Sequence, residues 1–351
     1  MGFVTKLKYC VIKNNIDKRK KKSAFNAEYS ERYTLPPDAD GQKNNSYYFS
    51  AHGADGTSLF FRLGLRGGGI GEIWCCYYNA DGVCYKNTID IFTGGAVSAK
   101  SECIEVAKKW AFGFHGDLTA GRLNADKIFV PAGRKVSADF QGEFTFGSDI
   151  FEFSRHMASK PIARAMSLEK WTKAFKEAVM QNHQVHYEQA GTVTGVLKAD
   201  GKTYLVDSPA IRDHSYGHRE WGYMDRHIWL SGLMEDGTVF NLNMVRYPAL
   251  KFLQTGYLIE ADKHVVCVDR ATALREFVPD GKVPAEFGFT AVFEDGRELR
   301  GTCKKEAQFD FGFDGGAYTI CEGVGTFLIN GVKGRGILEF GYNGDPERWG
   351  R

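Results

Sequence analysis

Residues 186–206 read HYEQAGTVTGVLKADGKTYLV. Two runs rich in β-branched and aromatic residues, 186–199 and 202–206, flank Asp200-Gly201. Asp-Gly between such runs signals a tight hairpin, because the turn needs backbone with positive φ. The same punctuation recurs at Glu235-Asp236-Gly237 and Glu294-Asp295-Gly296. Short strand-like runs continue on both sides. Downstream they include 228–233, 239–245, 287–293, 298–304, 317–324 and 336–342; upstream they include 47–50, 58–65, 72–78, 136–146 and 150–155. The run Arg66-Gly-Gly-Gly-Ile-Gly71 falls between two of them with no helix to follow, so it predicts a hairpin turn rather than a phosphate loop.

One stretch breaks the pattern. Ile162, Ala165, Met166, Trp171, Phe175 and Val179 stand at helical spacing and predict a single helix across 161–182, with Trp171 and Phe175 as contacts between the flanking units. The order is therefore about eight strands, a helix and about ten strands. Closing sheets on themselves is an economical way to protect so many edges. The chain is expected to be mainly β, with two antiparallel barrel-like halves joined by a helix. The expected division is a basic arm at 1–33, a first half at 34–160, the connector at 161–185 and a second half at 186–351.

Composition agrees. The 351 residues are 43% hydrophobic and 14% aromatic, with 41 glycines, so disorder is excluded and a turn-rich β protein is favoured. The net charge of +2 hides an asymmetry: residues 1–32 hold nine Lys/Arg against three Asp/Glu, leaving an acidic body that argues against nucleic acid as a partner. Eight cysteines without a CxxC pair, and no apolar signal core, fit a reducing, cytoplasmic setting. In the arm, Phe3, Leu7, Cys10 and Val11 share a helical face ahead of the run Lys18–Lys22. Two readings stand: peripheral membrane contact through residues 1–25, or a helix packed on the body with a solvated charge run.

Chemistry concentrates in 211–227, IRDHSYGHREWGYMDRH. Asp213, His214, Arg219 and Asp225 are interleaved here with Tyr216, Trp221 and Tyr223. On a strand, Asp213 and Ser215 would take one face and His214 and Tyr216 the other, unless Gly217 and Gly222 turn both sets to one cavity mouth. An acid held among aromatic rings keeps its proton and can give it to an alkene, an epoxide or a carbonyl. The plainer reading is an ion-pair knot, Asp213 with Arg219, that staples a loop. His183 and His186 form HxxH without a third ligand in view, so no metal is expected.

The block Arg212-Asp213-His214-Ser215-Tyr216-Gly217, followed by Arg219 and Trp221, resembles a motif of the lipocalin-like superfamily that includes hydroxyneurosporene synthase, AttH-type proteins and tocopherol cyclase. The segments 186–195 and 322–340 resemble that group's entry strand and closing hairpin, and Tyr216 stands where Trp is more usual. The resemblance covers about 186–342 well and the first half loosely. It implies two lipocalin-like halves, a hydrophobic small-molecule ligand (isoprenoid, polyene or polyketide) and proton-transfer chemistry of hydratase, isomerase or cyclase type without a cofactor. It assigns Asp213 as proton donor, His214 as its hydrogen-bond partner or the base that takes the proton back, and Arg219 as the group that orients Asp213 or binds a polar end of the substrate. Tyr216, Trp221 and Tyr223 become cavity walls, and His186, Glu188 and Asp225 further substrate contacts. A non-catalytic carrier of a lipid or pigment is the alternative.

Overall fold

The computed structural model describes residues 2–22, 24–87, 90–92, 98–181, 184–277 and 281–350. The chain opens with helices α1 (Phe3–Lys22) and α2 (Ala27–Glu31). Strands follow: β1 (Lys43–His52), β2 (Ser58–Arg66), β3 (Ile70–Tyr78), β4 (Cys84–Lys86), β5 (Asp90–Phe92), β6 (Ser98–Glu105), β7 (Lys109–Leu123), β8 (Phe129–Phe146) and β9 (Phe151–Glu152). A helical excursion, α3 (Phe153–His156), α4 (Ser159–Leu168) and α5 (Lys173–Gln181), leads to the long hairpin β10 (Gln184–Ala199) and β11 (Lys202–His218). The last eight strands are β12 (Arg226–Met234), β13 (Val239–Arg246), β14 (Leu253–Ile259), β15 (Val265–Ala271), β16 (Glu286–Phe293), β17 (Glu298–Phe313), β18 (Tyr318–Ile329) and β19 (Val332–Asn343).

Two antiparallel units result, as expected. The first runs β11-β1-β2-β3-β4-β7-β8-β10, and the β10–β11 pairing brings it back on itself. The second is the closed barrel β12 to β19. Asp200 (φ 55°) and Gly201 (φ 70°) make the predicted turn between β10 and β11. Gly68 and Gly69, also at positive φ, carry the β2–β3 hairpin that the glycine run predicts.

Two expectations need correction. β10 and β11 hydrogen-bond to β8 and β1, so 184–218 completes the first unit and the division falls near 219–225 rather than at 186. A hairpin of sixteen- and seventeen-residue strands can reach back across the helical excursion, which spacing along the chain cannot reveal. The connecting helix is also two helices, because 169–172 are not helical. In consequence Trp171 stays 37% exposed, while Phe175 is buried.

Each unit has an aromatic core. Phe49, Phe61, Phe112, Phe140 and Phe144 fill the first, with Phe49 and Phe112 stacked at 4.0 Å. Phe240, Phe289, Phe327 and Phe340 fill the second. A third cluster, including Phe60, Trp74, Trp221, Phe309, Phe311 and Tyr318, packs the outer face of the first sheet against the second barrel. Neighbouring Phe60 and Phe61 thus point into different cores, and β2 is buried on both faces for that reason. The arm docks on this body. α1 packs against α4, Ile12 is buried, and Lys8 Nζ donates to the Glu169 carbonyl at 2.8 Å. Phe3, Val4, Leu7 and Val11 remain exposed. No described helix is long and apolar enough to cross a membrane.

Candidate active site

A cavity of about 450 Å³ lies between the two units, and strand register decides what lines it. Directly opposite residues on five adjacent strands, β10 to β3, form the row Glu188–Asp213–Tyr48–Arg62–Trp74. The row beside it, two residues along, is His186–Ser215–Ser46–Gly64–Glu72. Because side chains alternate at period two, both rows share one face, which looks toward the second barrel. Asn243, Thr255, Trp229, His227, Ile337 and Glu339 close the cavity from that barrel. Phe153, Met157 and Val179 of the helical excursion cover its side.

The polar centre is His186, Glu188 and Asp213. His186 Nε2 lies 2.9 Å from Asp213 Oδ2 and 3.8 Å from Glu188 Oε1. The Asp213 contact is an ion pair set off the ring's N–H axis rather than an aligned hydrogen bond. The ring stacks on Phe153 at 4.3 Å and meets Trp229 at 5.1 Å. Burial alone would lower the His186 pKa, but the Asp213 carboxylate raises it above the usual imidazole value. Glu188 is 1% exposed, and Tyr257 Oη and Asn241 Nδ2 both donate to its Oε2. Burial, with the nearby Asp213 charge, pushes its pKa up to about 8, so at neutral pH it holds a proton. The three ligand atoms lie within 4.8 Å of one another, a spacing that also suits a divalent cation, although Glu188 already has two donors of its own. His183, the other member of HxxH, lies outside the described residues.

A second acid pair sits across the cavity. Glu339 pairs with His227 Nε2, and Tyr318 Oη lies 2.6 Å from His227 Nδ1. Glu322 is directly opposite Glu339 in the β18–β19 ladder and accepts a 2.8 Å hydrogen bond from Tyr48 Oη. Complete burial and the Glu339 charge push Glu322 far above the carboxylate range, while His227 holds Glu339 below it despite burial. Isolated carboxylates in otherwise apolar strands, as in YTICEGVGTFLI and VKGRGILEFGYN, were the signal that could have found these two.

The 211–227 cluster separates by face. Asp213, Arg219, Trp221 and Tyr223 line the cavity, as do His186 and Glu188. His214 and Tyr216 do not: alternation turns both away from it, and the glycines do not bring the two sets together. His214 is fully buried, with Tyr187 Oη 2.6 Å from its Nδ1 and Asn45 Oδ1 2.7 Å from its Nε2. Tyr216 bonds Ser30 Oγ at 3.0 Å and stacks on Tyr33. Arg212, on the same face, holds Glu31 of α2 at 2.8 Å, and Trp110 Nε1 donates to the same carboxylate at 2.6 Å. These residues plug the first unit. Asp225 is outside the cavity as well, clamped by Arg348 at 2.8 Å and Arg246 at 3.4 Å. The partner of Asp213 is thus His186 rather than His214, and no ion pair joins it to Arg219 among the described residues. The expected Asp213–Arg219 knot does not form; the buried ion pair of this strand is Arg212–Glu31, on the opposite face from Asp213.

The fold has relatives of known structure. An AttH protein from Nitrosomonas europaea aligns over 88% of this chain and 96% of its own, at 12% identity and a TM-score of 0.55. Kievitone hydratase from Nectria haematococca aligns over 91% and 96%, at 11% identity and a TM-score of 0.49. The first similarity establishes the double-barrel fold, in keeping with two lipocalin-like halves. No curated protein matches the sequence. One family profile does, over residues 30–344, which spans both barrels and every residue of the cavity described above; the chain belongs to that family, the domain of unknown function DUF7064.

Proposed function

We propose that the chain is an enzyme that moves protons on an apolar small molecule, with His186, Asp213 and Glu188 as its acid–base centre. The observation that carries this reading is a Glu188 carboxyl held protonated by burial beside the 2.9 Å His186–Asp213 contact, in a cavity walled by Phe153, Trp229, Ile337 and Trp221. Low dielectric keeps the acid protonated, and the aromatic faces stabilise a developing cation. The centre gives one proton to an unsaturated carbon or a carbonyl oxygen. Water then captures the cation (hydration), an internal π bond captures it (cyclisation), or a different proton leaves (isomerisation). In hydration the attacking water returns a proton to the carboxylate–imidazole pair, and in the other two the departing proton does so. Protons and electrons balance on all three routes without an oxidant, and hydration consumes one water.

The test is untargeted. Wild type and Asp213→Asn are each incubated with lipophilic extracts in D₂O, and products are followed by mass spectrometry. Wild type should convert a feature to one heavier by the elements of heavy water, or to an isomer carrying one deuterium in place of a proton. Asp213→Asn should lose this by about 10²–10⁴-fold, the usual contribution of general acid–base catalysis, while still co-purifying with the same compound. A compound bound equally by both and changed by neither would make the protein a carrier.

A further inference from the structure

The end of the cavity formed by β2, β3 and the 219–221 segment is crowded with donors, several of them without an acceptor. Arg62, Arg66 and Arg219 share one carboxylate within ion-pair distance among the described residues, Glu72, which lies 3.2 Å from Arg62 Nη1 and 3.3 Å from Arg66 Nη2. Arg219 has only neutral acceptors, Ser215 Oγ at 3.0 Å and Gln184 Oε1 at 3.3 Å. The Arg62 guanidinium, on a side chain 3% exposed, lies over Trp74 at 5.3 Å and Trp221 at 5.7 Å, while that of Arg219 covers Trp221 at 4.9 Å. Arg62 Nη2, Trp74 Nε1 and Trp221 Nε1 are all buried without an acceptor. Room for the guanidinium comes from Gly64, where a Cβ would stand 2.6 Å from Arg62 Nη2.

Such a cluster is costly as it stands. A buried donor without an acceptor costs about 1–3 kcal/mol, and excess buried positive charge more. The orphans on Arg62, Trp74 and Trp221 are all donors, so what would relieve them is a group made only of acceptors. A planar guanidinium pairs best with a planar carboxylate. We infer that this end of the cavity binds the carboxylate of an apolar acid, with Arg219 as its principal partner and Arg62 and the Trp221 indole behind it. The inference rests on the proposed function and narrows its substrate. Arg219 touches Ser215, which faces His186 across the β10–β11 ladder, so the reacting carbon would lie within a few bonds of the acid group.

Trp74, Trp221 and Trp229 line the cavity, so intrinsic fluorescence reports occupancy. The full-length protein is titrated with dodecanoate, dodecyl phosphate and dodecanol, each below its micelle concentration. Dodecanoate should bind at least about tenfold more tightly than dodecanol, the worth of one charge-assisted hydrogen bond. In Arg219→Gln that ratio should fall to near one while dodecanol affinity stays within a few-fold. Equal binding of acid and alcohol by wild type, no binding of dodecanoate, or a preference that survives in Arg219→Gln would each overturn the inference. Tighter binding of dodecyl phosphate than of dodecanoate would overturn the carboxylate assignment. None of these outcomes touches the proton-transfer reading, which stands or falls on turnover by wild type and Asp213→Asn.

Discussion

Replacing Glu188 by glutamine should make the protein more stable, and increasingly so as pH rises. In the fold this carboxyl keeps its proton to about pH 8, whereas an ordinary glutamate releases it near 4.5. The folded state therefore binds a proton that the unfolded chain gives up. Stability from this group is complete below pH 4.5 and is lost progressively as pH climbs to about 8. Each pH unit in that window removes about 1.4 kcal/mol, so the ceiling is about 3 kcal/mol at pH 7 and about 5 kcal/mol above pH 8. With 1% exposure, water does little to screen the effect. Glutamine has no proton to lose, and its carbonyl can still accept from Tyr257 and Asn241. Urea unfolding of both proteins, followed by tryptophan fluorescence between about pH 4.5 and about pH 9, reads this: the variant-minus-wild-type difference removes the titration of every group not coupled to Glu188. That difference should rise with pH and level off near 8. A flat difference would mean that Glu188 titrates like an unfolded glutamate, and the argument for a protonated acid at neutral pH would fail.

Two other predictions concern parts outside the cavity. Glu31→Ala leaves the Arg212 guanidinium buried without its carboxylate, so it should destabilise the chain by about 3–5 kcal/mol, seen as a lower urea midpoint; a loss under 1 kcal/mol would show that the plug is not structural. For the arm, we propose that the exposed Phe3, Val4, Leu7 and Val11 and the flanking lysines rest on anionic lipid. Phe3→Glu/Leu7→Glu should then abolish co-sedimentation with phosphatidylserine vesicles at unchanged melting temperature. Wild-type protein that fails to sediment would end that idea.

Much of the architecture is legible in the sequence. Asp-Gly turns and short apolar runs specify antiparallel hairpins locally, because positive φ and period-two alternation are properties of a few residues at a time. The ownership of β10 and β11 was not readable. Their pairing with β1 and β8 joins residues far apart in the chain, and sequence order suggests the nearer barrel. The break at 169–172 was missed because apolar spacing continued through it.

The site divides in the same way. Alternation along 212–216 already implied that Asp213 and His214 face opposite sides, and the structure keeps them there. What lies beyond each face is a matter of packing. On one side Glu31 and Asn45 turn Arg212 and His214 into a structural plug. On the other, β10 brings His186 and Glu188 beside Asp213, while β2 brings Arg62 into the same row. The sequence by itself determined which residues can form strands, where the turns fall and which side chains share a face, since these follow from local backbone and side-chain sterics. Only the tertiary structure decided which face became core and which became cavity, because that depends on the register of strands distant in sequence and on the second barrel closing over them.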